Sequence, residues 1–334
     1  MTDGNKKYGH LLHLEKNTHL AKGFVMKKDN PFEISKGRIR ELTKKDALLI
    51  KAQEIEKTTA IESNSIAYMA KNLIIATLPH SDPKTNEYIR HNGKYTLTML
   101  APSEIGLPFG AIPRLFLIWL SSVINKIKSR EIPLSDSFNA FSKELGYHTG
   151  GKDGKRIKTQ LIKLFSTTIM FQEKTTSNGM TNLKGSTKII AEDYNFWWES
   201  KNPDQLTLFD SYVTLSKYFY DELMKIRVPL DMRVIMAFRD EPMAIDIYAW
   251  LTYRFSTMQR DTFIETKDLV DQFGSDYKEL KDFNVNFKKT LDNVLTLYKE
   301  ARVDVIPGRG THTKSGILLH PSPPHVPKML ITAK

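Results

Sequence analysis

The chain has no cysteine. That excludes disulfides, thiol nucleophiles and cysteine-ligated zinc together, and it suits a reducing compartment. Long apolar runs are missing too: the most apolar stretch, LFLIWL (Leu115–Leu120), falls far short of the ~20 residues of a membrane span. The opening MTDGNKKYGHLLHLEKN has neither an uninterrupted apolar core nor a small-residue cleavage site, so no secretory signal is expected. These absences predict a cytoplasmic protein without membrane contact. Metal-ligand spacing is also lacking. His10 and His13 are separated by two leucines, and His312, His320 and His325 lie among prolines and glycines in no ligand pattern. Glu192 and Asp193 have no carboxylate counterpart, and Tyr218 and Tyr220 lack the companions a tyrosine nucleophile needs. No catalysis, metal or cofactor is expected.

What is abundant is positive charge. Across 334 residues the net charge is +11 and the pI about 9.4, although only 26% of residues are charged. Nucleic acid is the partner such a bias favours. The stretch LGYHTGGKDGKRIKTQLIKLF (Leu145–Phe165) concentrates it, and its glycines and lysines ahead of a helix suggest a phosphate. A nucleotide P-loop is excluded, because Gly150 and Gly154 are one residue too close and Arg156 stands where a hydroxyl is required. The phosphate is therefore read as that of double-stranded DNA.

Element order supports this reading. Residues 1–60 hold thirteen Lys/Arg against eight Asp/Glu and form a largely helical basic extension, with a polar helix within Gly37–Glu62. Asn92-Gly93 marks a hairpin. Helices are predicted over Ile112–Lys128, Ile132–Tyr147, where Ser135 caps, Phe138, Phe141 and Leu145 line one side and Gly146 closes, and Gly154–Thr168. Two β-rich runs, TIMFQEK and STKIIAEDYNFWW, follow across a polar turn. Three helices and a hairpin make a winged helix-turn-helix. The order recurs about 130 residues later: helices over Asp240–Ser256, Phe263–Gly274 and Lys281–Glu300, then strand, turn and strand. The predicted fold is α+β and helix-rich: two tandem winged-helix domains over residues 61–202 and 203–326, with a C-terminal tail over 327–334. The tryptophans are assigned to core positions or strand ends.

With Ile157, Leu161, Leu164 and Phe165 inward, the other side of the first recognition helix presents Lys152, Lys155, Thr159, Ile162, Lys163 and Ser166, with Arg156 at its flank. Lysines suit the backbone, while Arg156 or Lys155 suits guanine and Thr159 or Ile162 a thymine methyl. An ordinary solvated helix face has the same composition, and it is the surrounding order that decides against that reading. The second helix offers Lys281, Asn286, Lys289 and Asn293, and the second wing tip Arg309, His312 and Lys314.

Three stretches then resemble the RepA-type plasmid replication initiators: NGKYTLTMLAPSEIGLPFGAIPRLFLIWL (Asn92–Leu120), SREIPLSDSFNAFSKELGYHTGGKDGKRIKTQLIKLF (Ser129–Phe165) and MAIDIYAWLTYRFS (Met243–Ser256). The likeness runs in consistent order over about residues 70–325, and the family's TGG-x-x-G-x-I block falls on Thr149, Gly150, Gly151, Gly154 and, with Arg156 between, Ile157. The resemblance implies binding to short repeats at a plasmid origin and opening of an adjacent AT-rich segment. It also implies recruitment of the host initiator and helicase, and homodimers that repress their own gene. A sequence-specific transcriptional repressor without initiator role is the alternative expectation.

Overall fold

The computed structural model describes residues 43–134, 142–143, 145–147, 151–198, 206–225, 227–274, 277–308 and 314–327. The chain enters through α1 (Lys44–Lys57), whose start is fixed by a reciprocal capping box between Thr43 and Asp46. It continues as β1 (Ile66–Ala70), α2 (Lys71–Ile75), β2 (Glu87–Asn92), β3 (Tyr95–Leu100), α3 (Ala111–Ile127), β4 (Glu131–Pro133) and α4 (Gly151–Phe165). Then come β5 (Thr168–Ser177), β6 (Met180–Ile189), β7 (Ala191–Trp198), β8 (Leu206–Leu215), α5 (Lys217–Lys225), β9 (Arg227–Asp231) and α6 (Met232–Ala237). The last part holds α7 (Pro242–Phe255), β10 (Thr262–Glu265), α8 (Thr266–Phe273), α9 (Leu280–Leu297), β11 (Val303–Ile306) and β12 (Gly316–Leu319). The class is α+β with several small sheets.

The repeat extends further than its amphipathic helices reveal. Each half begins with a five-residue strand running into a short helix, β1–α2 and β9–α6. A long buried helix follows, α3 or α7, and then an edge strand, β4 or β10. The two three-stranded sheets have the same order: β4-β8-β7 in the first half and β10-β12-β11 in the second. The halves also meet through equivalent strands. β1 and β9 pair antiparallel about their middle residues, Tyr68 opposite Pro229, the self-complementary arrangement of a local dyad.

Two hairpins are extra to this plan, and both belong to the first half. β2–β3 lies between α2 and α3, and β5–β6 between α4 and β7. They pair with each other as a four-stranded sheet, β2-β3-β5-β6. The wing expected directly after α4 is therefore corrected: the run TIMFQEK forms β5 and leaves the repeat, and the strands equivalent to β11 and β12 are β7 and β8. The polar stretch read as a turn is itself strand, because Asn178 (φ 50°) and Gly179 (φ 73°) reverse the chain in two residues. At the other hairpin the reversal sits at Gly93 (φ 56°) and Lys94, while Asn92 still pairs with Tyr95. Position 202/203 lies between β7 and β8, which pair with each other. Phe263 and Ile264, expected in a helix, belong to β10. Residues 1–42, Ser135, Phe138, Phe141 and 328–334 lie outside the described residues. The described end of the extension, α1, docks Leu48, Ala52 and Ile55 and makes most of its contacts with α9.

The core is continuous across both halves. α7 is enclosed from Met243 to Thr252 and α3 from Ile112 to Ser121, so both are apolar nearly all round. One ion pair joins them. Arg114 of α3 meets Asp246 of α7 through Nε (2.9 Å) and Nη2 (2.7 Å) and also donates to the carbonyls of Leu78, Pro79 and Gly110. His80 Nε2 approaches the same carboxylate at 2.8 Å. Every guanidinium nitrogen thus has a partner, the condition under which a buried pair is tolerated.

Removing either partner leaves a buried charge unpaired, so Arg114→Ala or Asp246→Ala is expected to cost ~3–5 kcal/mol in urea denaturation. Acidification acts on the same region. Burial holds His80 and His325 below the ordinary 6.5, so the unfolded chain takes up protons that the fold refuses. Stability is complete above about pH 6.5 and falls as pH drops below it. His320, raised by hydrogen bonds to Asp304 and Asp261, acts in the opposite sense but is solvent-screened. His80→Asn, which keeps an N–H for Asp246, is expected to flatten the slope in urea titrations across this range.

Candidate nucleic-acid interface

Helix α4 divides cleanly by face. Gly154, Ile157, Gln160, Leu161, Leu164 and Phe165 are buried. Lys152, Lys155, Arg156 and Thr159 are exposed, and Ile162 and Lys163 are half-buried. Arg156 makes a long, exposed approach to Asp153, at 3.8 Å. Lys163 turns toward the neighbouring loop, its Nζ lying 5.1 Å from the centre of the Phe109 ring.

The loop Leu107–Gly110 grips the opposite side of this helix. The Phe109 amide donates to Gln160 Oε1 at 2.9 Å. Leu107 is buried, and Gly110 (φ 79°) turns the chain so that its carbonyl accepts from Arg114. A side chain is disfavoured at that φ. The turn ahead of α4 is held equally closely. Tyr147 N donates to Ser142 O (2.8 Å) and Gly146 N to Lys143 O (2.9 Å), with Gly146 at φ 72°. This is the paired C-terminal closure that favours glycine, as the sequence predicts for Gly146. Tyr147 Oη then donates to Asp240 Oδ1 (2.9 Å) in the second half, and Arg239 reaches Leu145 O. Burial pushes the Tyr147 hydroxyl upward in pKa, so it stays a donor. The exposed cationic face is thereby positioned from both halves.

Helix α9 is less clear-cut. Lys281, Asn286 and Lys289 are exposed and Asn293 is half-buried. Asn286 Nδ2 donates to Tyr277 Oη. At about 100° per residue, the side opposite Phe283, Phe287 and Val294 centres on Val285 and Asp292, with Lys281 and Lys289 beside them and the two asparagines on the flank. Lys45 of α1 lies 3.6 Å from Asp292 and offsets its charge. Lys314 pairs with Glu265 at 2.5 Å, while Arg309 and His312 lie outside the described residues. The structure thus groups Lys152, Lys155, Arg156 and Thr159 on one face, and Lys281 and Lys289 on another. Trp119 and Trp250 are buried.

One feature escaped the sequence reading. Beyond Glu173, the hairpin β5–β6 loses its pairing to β3, and residues 174–185 are exposed on both strands. Its signal was the absence of any acidic residue between Lys174 and Ala191. Among the described residues no group of three or more His, Asp or Glu could hold a metal ion, and no helix is long and apolar enough to cross a membrane.

Residues 107–268, from the Leu107–Gly110 loop to the start of α8, match the RepA_C family model, described as plasmid encoded RepA protein. It is the family that the sequence motifs resemble. The RepA_C match encloses α3, α4 and α7, with the Arg114–Asp246 pair and the whole face of α4. No curated protein matches the chain. Two crystal structures of domains 2 and 3 of RctB are similar at 10% and 11% identity, with TM-scores of 0.47 and 0.45. They cover 75% and 74% of this chain and 96% of each of those chains. At those scores the likeness carries no argument.

Neighbouring residues on α4 separate support from contact. Gln160→Ala strands the Phe109 amide and is expected to cost ~1–2 kcal/mol of stability. Thr159→Ala is expected to change stability by less than ~0.5 kcal/mol. Urea denaturation of the two variants side by side checks the contrast.

Proposed function

We propose that the protein is a plasmid replication initiator that binds repeated duplex DNA at its origin. The observation that carries this reading is the RepA_C match across a helix whose exposed side holds Lys152, Lys155, Arg156 and Thr159. The N-terminal end of α4 adds backbone amides and a positive dipole end to those cations, and phosphate is what such an end attracts. Each half is read as a winged-helix unit: α3, β4 and α4 with wing strands β7 and β8, then α7, β10, α8 and α9 with wing strands β11 and β12. The division between units falls after β8, near Lys217, where the first three-stranded sheet is complete. Lys281 and Lys289 of α9 make the second contact. Non-enzymatic origin opening, recruitment of the host initiator and helicase, and self-repression as a homodimer belong to the same reading.

Affinity for duplex DNA from the parent replicon is expected to fall linearly in log–log form with salt, in proportion to the phosphates contacted. Lys155→Ala and Arg156→Ala are each expected to weaken binding by ~1–3 kcal/mol. Only a base contact by Arg156 also relaxes the sequence preference. Footprinting DNA that flanks the gene, with wild type and the double variant, tests this. Undiminished protection by the double variant removes α4 from the interface.

A further inference from the structure

A cleft of about 490 Å³ opens where the β2–β3 turn faces the second half, between Gly93–Tyr95 on one side and α7, β10 and α8 on the other. Its wall carries an unusual share of rings: Tyr95, Trp250, Tyr253 and Phe263. Trp250 is buried, but Phe263 is 41% exposed, a large apolar ring left open to solvent.

Arg254 stands among these rings, at the end of the DIYAWLTYR block that the duplex contacts leave unexplained. Its Nε is enclosed and has no hydrogen-bond partner, and among the described residues no carboxylate pairs with it. The Trp250 ring lies 5.7 Å from its guanidinium carbon. Burial lowers its pKa with almost nothing to offset the desolvation. An enclosed donor without an acceptor is costly, and the guanidinium that carries it lines the cleft, where an anion pairs with a cation that has no acid partner. The neighbouring cations are already engaged: Lys94 pairs with Glu173 at 2.5 Å, and Lys71 lies over the Tyr253 ring at 5.5 Å.

A single unpaired guanidinium beside several rings suits a ligand that carries one negative charge next to a flat apolar surface. We propose that this cleft binds an unpaired nucleotide of a DNA strand, its base against Tyr95, Tyr253 and Phe263 and its phosphate on Arg254. Among the described residues that line the cleft, Arg254 is a cation without a carboxylate partner, and a phosphodiester matches its charge. A nucleoside triphosphate brings several charges to a wall that also contains Asp268, and so fits poorly. Base–ring stacking combined with an arginine is the usual chemistry of strand binding without sequence preference.

The site is separate from the cationic face of α4, so the two readings can fail independently. The test is fluorescence anisotropy of the full chain with a labelled oligothymidylate of about 16 nucleotides, beside a labelled duplex from the replicon. Arg254→Ala and Phe263→Ala are each expected to weaken strand binding about tenfold while leaving duplex affinity and melting temperature unchanged. Arg254→Lys, which keeps the charge, is expected to retain more binding than Arg254→Ala and serves if the alanine variant fails to fold. Unchanged strand binding in Phe263→Ala together with either Arg254 variant overturns the proposal. So does an equal loss on duplex, which marks a structural role. Displacement of the strand by free thymidylate or ATP at the same nucleotide concentration, or by polyglutamate, assigns the cleft to another ligand and overturns it too.

Discussion

The Arg114–Asp246 pair is the constraint on which the arrangement of the two halves depends. Each residue lies in the first turns of the long buried helix of its own half, so the contact fixes α3 against α7 where both are already out of solvent. A buried pair adds little net stability over an apolar substitute, because desolvation consumes most of the attraction. It does make misplacement expensive. The guanidinium simultaneously reaches Asp246 and the carbonyls of Leu78, Pro79 and Gly110, so it ties the loops around α3 to α7.

From that fixed point the candidate DNA-binding face is positioned in two steps. Gly110 and Phe109 belong to the loop that Arg114 organises, and the Phe109 amide holds Gln160 on the inner side of α4. On the other flank, Tyr147 and Leu145 tie the turn before α4 to Asp240 and Arg239, just ahead of α7. A helix presented to a duplex needs this kind of support, since long lysine side chains supply charge but no orientation. The blocks around Leu107–Gly110 and Leu145–Tyr147, and Asp246 at the head of the third, become intelligible on this basis. They place or lock backbone, and the cations ride on what they hold.

The two hairpins added to the first half carry a different lesson. Each alone is a marginal two-stranded ribbon. Paired as β2-β3-β5-β6 they form one sheet, with one turn at the mouth of the aromatic cleft and the other extended beyond the body of the protein. The repeat therefore supplies a symmetric frame, and the insertions make the halves unequal.

Periodicity and charge alone determined much of this protein. The buried stripe of α4, the glycine closure at Gly146, the order of the helices and the exposed face of α4 were all legible, because helical spacing and positive-φ turns are local properties. Strand partnership was not. TIMFQEK reads as half of a wing because it follows a helix, yet it pairs with β3, some 70 residues earlier. Nothing within such a run encodes its partner, since hydrogen-bonding edges are alike in every strand. The outward flank of α9 was no more legible, because it depends on what packs beside the helix, and α1 arrives from a distant part of the chain. Tertiary structure decided which strands meet, which flank is covered, and that Arg254 stands among rings with its Nε unpaired.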